Sequence, residues 1–338
     1  MSTSATKLDS PPAPEAIAPE AARRWWSRAS IGELGVIAPL IAITVVFYVS
    51  DQAFLSSANV VTMLQSAAYT GIVAVAMTFL MVAREIDLSV GSVVGLAAIA
   101  WSHLIVITGV SIALATILVL IGAALLGLVN ATLAVRLHIP SLIVTLGMLF
   151  VARGLVYVIS DGYSISPLPA SVVEFSRLRI LGLPVSVLVF FLAVIVGEMV
   201  LRLTTTGRRV IATGGNEEAA QVVGIATGRV KTAGFMLTAV AAAIAGMFFV
   251  TQVRSGEPTL GNGLELDVIA AIVIGGVSLL GGVGRVIGTL LGVVLMQVVR
   301  SGMIFLGIES NWQNVVVGSL LLIAVAVDVT QRRRGALA

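Results

Sequence analysis

Ionisable side chains are scarce in this chain, so the few places where they cluster are where chemistry could reside. Between two long apolar runs lies Arg84-Glu85-Ile86-Asp87-Leu88-Ser89-Val90-Gly91-Ser92, the densest polar group at a span boundary. Charges are costly in hydrocarbon, which places this turn at a membrane interface or around a cavity closed off from lipid. Its residues allow two readings. Asp87 or Ser89 caps the following helix, whose first amide hydrogens have no acceptor within the helix. Alternatively, Glu85, Asp87 and Ser89 belong to a gate or solute path. Asn130, near the end of one apolar run, and Arg153, inside another, are the intramembrane polar groups hardest to dismiss. Asn130 either joins helices by hydrogen bonds or lines the path. Arg153 follows Pro140 closely enough to lie roughly 20 Å into a helix, where it needs an acceptor or water. Asp267 and His103 fall near the ends of their runs and read as interface residues rather than proton relays.

The second polar site is the stretch 208–231, RRVIATGGNEEAAQVVGIATGRVK. After Gly214 and Gly215, the run Asn216-Glu217-Glu218-Ala219-Ala220 followed by Gly224 fits a short amphipathic helix along the membrane face. Ala220, Val223 and Ile225 form its apolar side, and Glu217, Glu218 and Gln221 its polar side. The alternative is a solvated connecting loop. A multi-span protein that keeps one such island on its basic side offers a soluble partner a place to push.

Several chemistries are disfavoured. There is no cysteine, and His103 and His138 are the only imidazoles, so disulfide, thiolate-metal and cofactor chemistry have little to work with. Lys7 and Lys231 are the only lysines, and no G-x-x-x-x-G-K-[ST] is complete, so no lysine is available to hold a nucleotide phosphate. The chain is therefore not expected to be an enzyme, and if ATP drives it, another polypeptide hydrolyses the ATP. Buried acids are too few for the usual ion-coupled transporter. The glycine-rich stretch 275–284 nevertheless leaves open, as an alternative, an ion-coupled secondary transporter of a small polar solute.

These groups must be positioned by membrane helices. Of 338 residues 58% are hydrophobic and 11% charged, and the mean hydropathy is +1.08. That composition is an all-α, polytopic membrane protein with the bilayer as its solvent. Apolar runs near 34–50, 60–82, 88–108, 111–134, 140–160, 185–201, 232–252 and 312–328, with 267–304 divided by the turn-like LLGGVGR at 279–285, predict about ten transmembrane helices. An even number puts both termini on one side. That side collects Lys7, Arg23, Arg24, Arg28, Arg84, Arg136, Arg202, Arg208, Arg209, Arg229, Lys231, Arg285, Arg332, Arg333 and Arg334, against Arg177, Arg179 and Arg254 on the other. The positive-inside bias makes both termini cytoplasmic. The basic excess thus reports orientation and not a nucleic-acid partner. Residues 1–30 read as a disordered cytoplasmic tail with Trp25 and Trp26 as headgroup anchors. Residues 330–338 read as a basic cytoplasmic tail, and 31–329 as one transmembrane domain that includes the cytoplasmic loop 202–231. Glycines beside Ala or Ser, as in IGAALLGLVN and GTLLGVVL, let helices approach closely in lipid.

EIDLSVGSV at 85–93, LGLVN at 126–130, IPSLIVTLG at 139–147, TTGRRVIATGGNEEAAQVVGI at 205–225 and DVIAAIVIGGVSLLGGVGRVIGTLLG at 267–292 carry a family resemblance. Over about residues 35 to 328 the chain resembles the permease subunits of bacterial ATP-binding-cassette importers of the ribose, xylose, arabinose, rhamnose and autoinducer-2 group. The resemblance implies an inner-membrane importer permease fold for a neutral monosaccharide or related solute, with no cofactor. It implies as partners a second permease subunit, identical or paralogous, two cytoplasmic ATPase subunits and an extracytoplasmic solute-binding protein. It also implies that Gly215, Asn216, Glu218, Ala219, Ala220 and Gly224 belong to the loop that couples to the ATPase, and it favours the gate or path reading of Glu85, Asp87, Ser89, Asn130 and Arg153. One departure is visible: Arg84 and Glu85 stand where many members have two glycines.

Overall fold

The structure, a computed structural model, describes residues 19–336, with side chains described for 35–309, 311–326 and 330. Its elements are α1 (Pro19–Ser50), a 3₁₀ turn (Gln52–Leu55), α2 (Ser57–Val82), α3 (Val90–Val106), α4 (Ile112–Ala131) with a π-helical continuation (Thr132–Arg136), and α5 (Ser141–Ser160). There follow α6 (Ala170–Arg177), a small antiparallel hairpin of β1 (Arg179–Ile180) and β2 (Leu183–Pro184), α7 (Val185–Leu203), α8 (Thr205–Gly215) and α9 (Glu217–Val222). The chain closes with α10 (Thr227–Val253), α11 (Leu264–Ile274), α12 (Val286–Phe305) and α13 (Ser310–Ala336).

Among the described residues six helices are long and apolar enough to cross a membrane, not about ten: α2, α4 with its continuation, α5, α7, α10 and α12. Three shorter apolar stretches accompany them: α3 (Val90–Val106) and, as the parts of α1 and α13 whose side chains are described, Gly35–Ser50 and Asn311–Ala326. For α3 and α11 the difference from the expected spans has local causes. Residues 84–89 are spent on an irregular segment, so α3 begins only at Val90. The eleven-residue α11 stops where Gly276 takes a left-handed φ of 85°, and the chain stays out of helix until Val286. The expected break at 279–285 thus lies between a short helix and a long one. The tail expected over 1–30 is outside the described residues up to residue 18, and α1 starts at Pro19. Trp25, Trp26 and the terminal arginines lie where side chains are not described.

Packing centres on α2, in which every residue from Ala67 to Val82 is buried. Helix α10 lies against α2, α3 and α4, while α7, α11 and α12 also pack on α2. Glu198 of α7 fixes α12: its carboxylate accepts the amide hydrogens of Val286 (2.9 Å) and Ile287 (3.2 Å) and pairs with Arg285 at 3.3 Å. An acid there suits the positive end of the helix and gives partners to amides that lack any within it. Asp267 of α11 pairs with Arg300 of α12. The loop 254–263 folds back antiparallel along α3, with Gly256 facing Ser102, Leu260 facing Gly95 and Gly261 facing Gly91. Helices α4 and α5 keep apolar faces exposed, including Ile117, Ile121, Leu125, Phe150 and Val158.

Candidate functional site

Helix α2 ends in a Schellman-type turn. The Arg84 amide donates to the Met81 carbonyl (2.9 Å) and the Glu85 amide to the Leu80 carbonyl (3.0 Å). That turn needs a left-handed residue, a place suited to glycine, yet here it is Arg84 at φ 68°. The departure seen in the sequence is therefore a backbone strain in the structure. The turn aims residues 85–89 into the bundle, where Asp87, Ser89 and Asn130 are all but fully buried, at 1%, 0% and 1% exposure. The Ser89 amide donates to Asp87 Oδ1 at 2.8 Å, the Ser89 hydroxyl donates to the same oxygen, and Asn130 Nδ2 donates to Ser89 Oγ at 3.1 Å. Asp87 Oδ2 and Asn130 Oδ1 have no hydrogen-bond partner. The expected cap takes a different form. Ser89 occupies the N-cap position of α3, but its side chain bonds no helix amide, and Asp87 accepts from Ser89 itself.

Arg153 is not in that cluster. Its guanidinium donates to the carbonyls of Pro258 (3.0 Å), Leu260 (3.1 Å) and Gly91 (3.3 Å), tying α5 to the folded-back loop and to the first turn of α3. A planar donor fork suits such a junction, because it satisfies several buried carbonyls at once. Arg153 and the Asp87 cluster thus flank the same helix start from different sides. Glu265 approaches it too, since a Cβ on Gly91 would meet its carboxylate.

The 202–231 loop contains two helices. Helix α8 ends beside Val82: a Cβ on Gly214 would meet the Val82 carbonyl and would lie 2.7 Å from the Gly282 amide nitrogen. Helix α9 is capped at both ends. Asn216 Oδ1 accepts the Ala219 amide at 2.9 Å, and Gly224, at φ 83°, closes a second Schellman turn in which the Ile225 amide reaches the Ala220 carbonyl at 3.0 Å. Of the expected apolar side, Ala220 is buried and Ile225 half-buried. Val223 departs from it: both Val222 and Val223 are exposed, at 87% and 75%. Gly215, Asn216, Glu218, Ala219 and Gly224 are exposed as well, so the helix presents its surface outward.

Sequence reasoning missed the link between the two polar sites. Lys231 Nζ lies 2.9 Å from Glu85 and 2.7 Å from Glu217. Burial by itself would raise the Glu217 carboxyl, but the hydrogen bond and charge of Lys231 outweigh it and hold the group below the usual carboxylate range. A polar cavity of about 650 Å³ opens beside this junction, lined by Arg84, His138, Asn216, Glu217, Gln221 and Lys231 among others. The signal was present in the sequence: one lysine in an otherwise lysine-free membrane domain, with Glu85, read as gate or path, and Glu217, read as the polar side of a helix, given no charge partner.

Six helices long and apolar enough to cross, joined by buried polar contacts, define a multi-pass membrane protein. The chain belongs to the family described as branched-chain amino acid transport system / permease component, which matches residues 59–325. It is 38% identical over 298 residues to the ribose import permease protein of Bacillus subtilis (strain 168), covering 88% of this chain and 92% of that one. It is 34% identical over 361 residues to the xylose transport system permease protein of Escherichia coli (strain K12), again covering 88% and 92%. It is 34% identical over 325 residues to the L-arabinose ABC transporter permease protein of Azospirillum brasilense, covering 96% and 95%. No solved structure gives a significant match. The sequence carries no nucleotide-binding motif, in keeping with a permease that performs no catalysis itself.

Proposed function

We propose that this chain is the channel-forming subunit of an ATP-driven importer for a neutral monosaccharide, set in a bacterial inner membrane with both termini cytoplasmic. A second permease, two ATPases and an extracytoplasmic binding protein complete the machine. The observation that carries the coupling is α9, a capped helix whose Glu218, Ala219, Val222 and Val223 are offered to a partner instead of to its own bundle. Exposed valines on a short, rigid helix are what a cleft on another protein would grip. The cation bias across the loops supports the orientation.

The three relatives above are named for ribose, xylose and L-arabinose, all neutral sugars, and this supports the solute class. The family description instead names branched-chain amino acids. A zwitterion calls for a cation facing its carboxylate, whereas Arg153, which reaches from α5 to the first turn of α3, is engaged by three backbone carbonyls. That favours the uncharged solute. Calorimetric titration of the cognate binding protein with D-ribose, D-xylose, L-arabinose and L-leucine tests the choice. Binding of leucine with no response to any sugar overturns the solute class and leaves the importer architecture standing. Uptake by the permease alone in liposomes, driven by a proton or sodium gradient without an ATPase, would replace the importer with the secondary transporter.

A further inference from the structure

Lys231 joins three parts of the chain at one charge. It stands near the start of α10, and its ammonium reaches Glu85, in the segment that carries Asp87, and Glu217, the first residue of α9. The Lys231 and Glu85 side chains are only 11% and 14% exposed, so salt screens this pair less than a surface pair. The two carboxylates sit on two separate parts of the chain. One is the helix held out to the partner. The other is the segment whose Asp87, two residues beyond Glu85, is bonded into the buried cluster.

A steric link between the same regions also exists, with Gly214 at the end of α8 set against the Val82 carbonyl. A steric contact transmits a push and not a pull. An ion pair resists separation, and an ammonium on a four-carbon stem can keep two carboxylates while they shift relative to one another. Glu85 also stands where the family resemblance leads one to expect glycine, so this tie is a feature of the present chain.

We infer that Lys231 is a positioning residue that ties α9 to residues 84–89, so that outward movement of α9 is transmitted as tension through Glu217, Lys231 and Glu85 to the buried Asp87–Ser89–Asn130 cluster. The inference rests on the importer reading above. Its test is the ratio of sugar imported to ATP hydrolysed by the complete assembly of permeases, ATPases and binding protein in liposomes, with D-ribose, D-xylose and L-arabinose as probes. Glu85→Gln and Glu217→Gln are each expected to lower that ratio about fivefold or more, the low end of typical coupling between sites. The double variant falls no further, because either break interrupts the same tie. Lys231→Arg restores most of the ratio and Lys231→Met behaves like the double variant. If Lys231→Met fails to assemble, Glu85→Gln and Lys231→Arg still decide. Wild-type ratios in Glu85→Gln and Glu217→Gln, or losses that multiply in the double variant, overturn the tie while transport by the parent chain upholds the importer. Absence of ATP-dependent uptake of D-ribose, D-xylose, L-arabinose and L-leucine alike by the parent assembly overturns the importer reading and the tie with it, whereas uptake of L-leucine alone overturns only the solute class and the same ratios are then read with L-leucine.

Discussion

Replacing Asp87 with asparagine and with leucine separates two accounts of the buried cluster. In the native arrangement Asp87 Oδ1 serves both the amide and the hydroxyl of Ser89, while Asp87 Oδ2 and Asn130 Oδ1 are acceptors with no donor. Asp87→Asn keeps the working oxygen and puts an N–H₂ where the idle one was. The expected change in stability is within about 1 kcal/mol of zero, with a gain if the new donor meets Asn130 Oδ1. Asp87→Leu takes the acceptor away. The Ser89 hydroxyl can turn toward Asn130, but the Ser89 amide is left buried without a partner. A buried donor stranded in this way costs about 1–3 kcal/mol, and the lost bond to the hydroxyl brings the expected loss to about 2–4 kcal/mol. In thermal unfolding of the detergent-purified protein, the leucine variant is expected to melt about 5 °C or more below the parent and the asparagine variant within about 2 °C of it. Equal damage from both substitutions would show that the carboxyl group itself matters rather than the acceptor at Oδ1. A leucine variant as stable as the parent would refute the cluster as a structural element.

Other outcomes follow from single contacts. Arg84→Gly relieves a side chain held at φ 68° and is expected to raise stability by about 1 kcal/mol, read as a higher unfolding temperature; a fall would mean that the arginine side chain outweighs the strain. Gly214→Val drives side-chain atoms into the Val82 carbonyl and is expected to cost about 2 kcal/mol or more, whereas Gly215→Ala, with nothing within 4 Å of its Cβ, leaves folded yield in detergent unchanged. Glu217 titrates below the ordinary carboxylate range in the folded chain, so its pairing contributes fully above about pH 4.3, fades as pH falls through that ordinary value, and is gone below the depressed folded value. The stability advantage of the parent over Glu217→Gln is expected to shrink on acidification from pH 7 to pH 4, and an advantage that grows instead would contradict the Lys231–Glu217 pair.

Much of the site was legible because polar residues are conspicuous in an apolar chain. Burying Asp87, Ser89, Asn130 or Arg153 has a cost that forces each to find partners, so residue type and position were enough to single them out. Helix α9 was legible for a similar reason, since Asn216 before Glu217-Glu218-Ala219-Ala220 and Gly224 after it are start and stop signals with local physical causes. Partners separated by long stretches of chain were not legible. Nothing in the spacing of Asn130 and Ser89 puts their side chains 3.1 Å apart, and nothing in residues 253–263 says that the loop turns back along α3 to present carbonyls to Arg153.

By itself the sequence determined the solvent of this protein, the helical class, the sites where polarity had to be satisfied and the family. Those follow from composition, local capping and motif order, which do not depend on how distant segments meet. Only the tertiary structure decided that α3 and α11 are shorter than their apolar runs, because their lengths depend on where residues 84–89 and 275–285 leave the helical path. It alone decided that Lys231 joins Glu85 to Glu217, and that Arg153 serves the backbone of α3 and its neighbouring loop. In a nearly all-apolar chain one helix face resembles another, and the choice of partner rests on close approaches such as Gly214 against Val82 that no local pattern encodes.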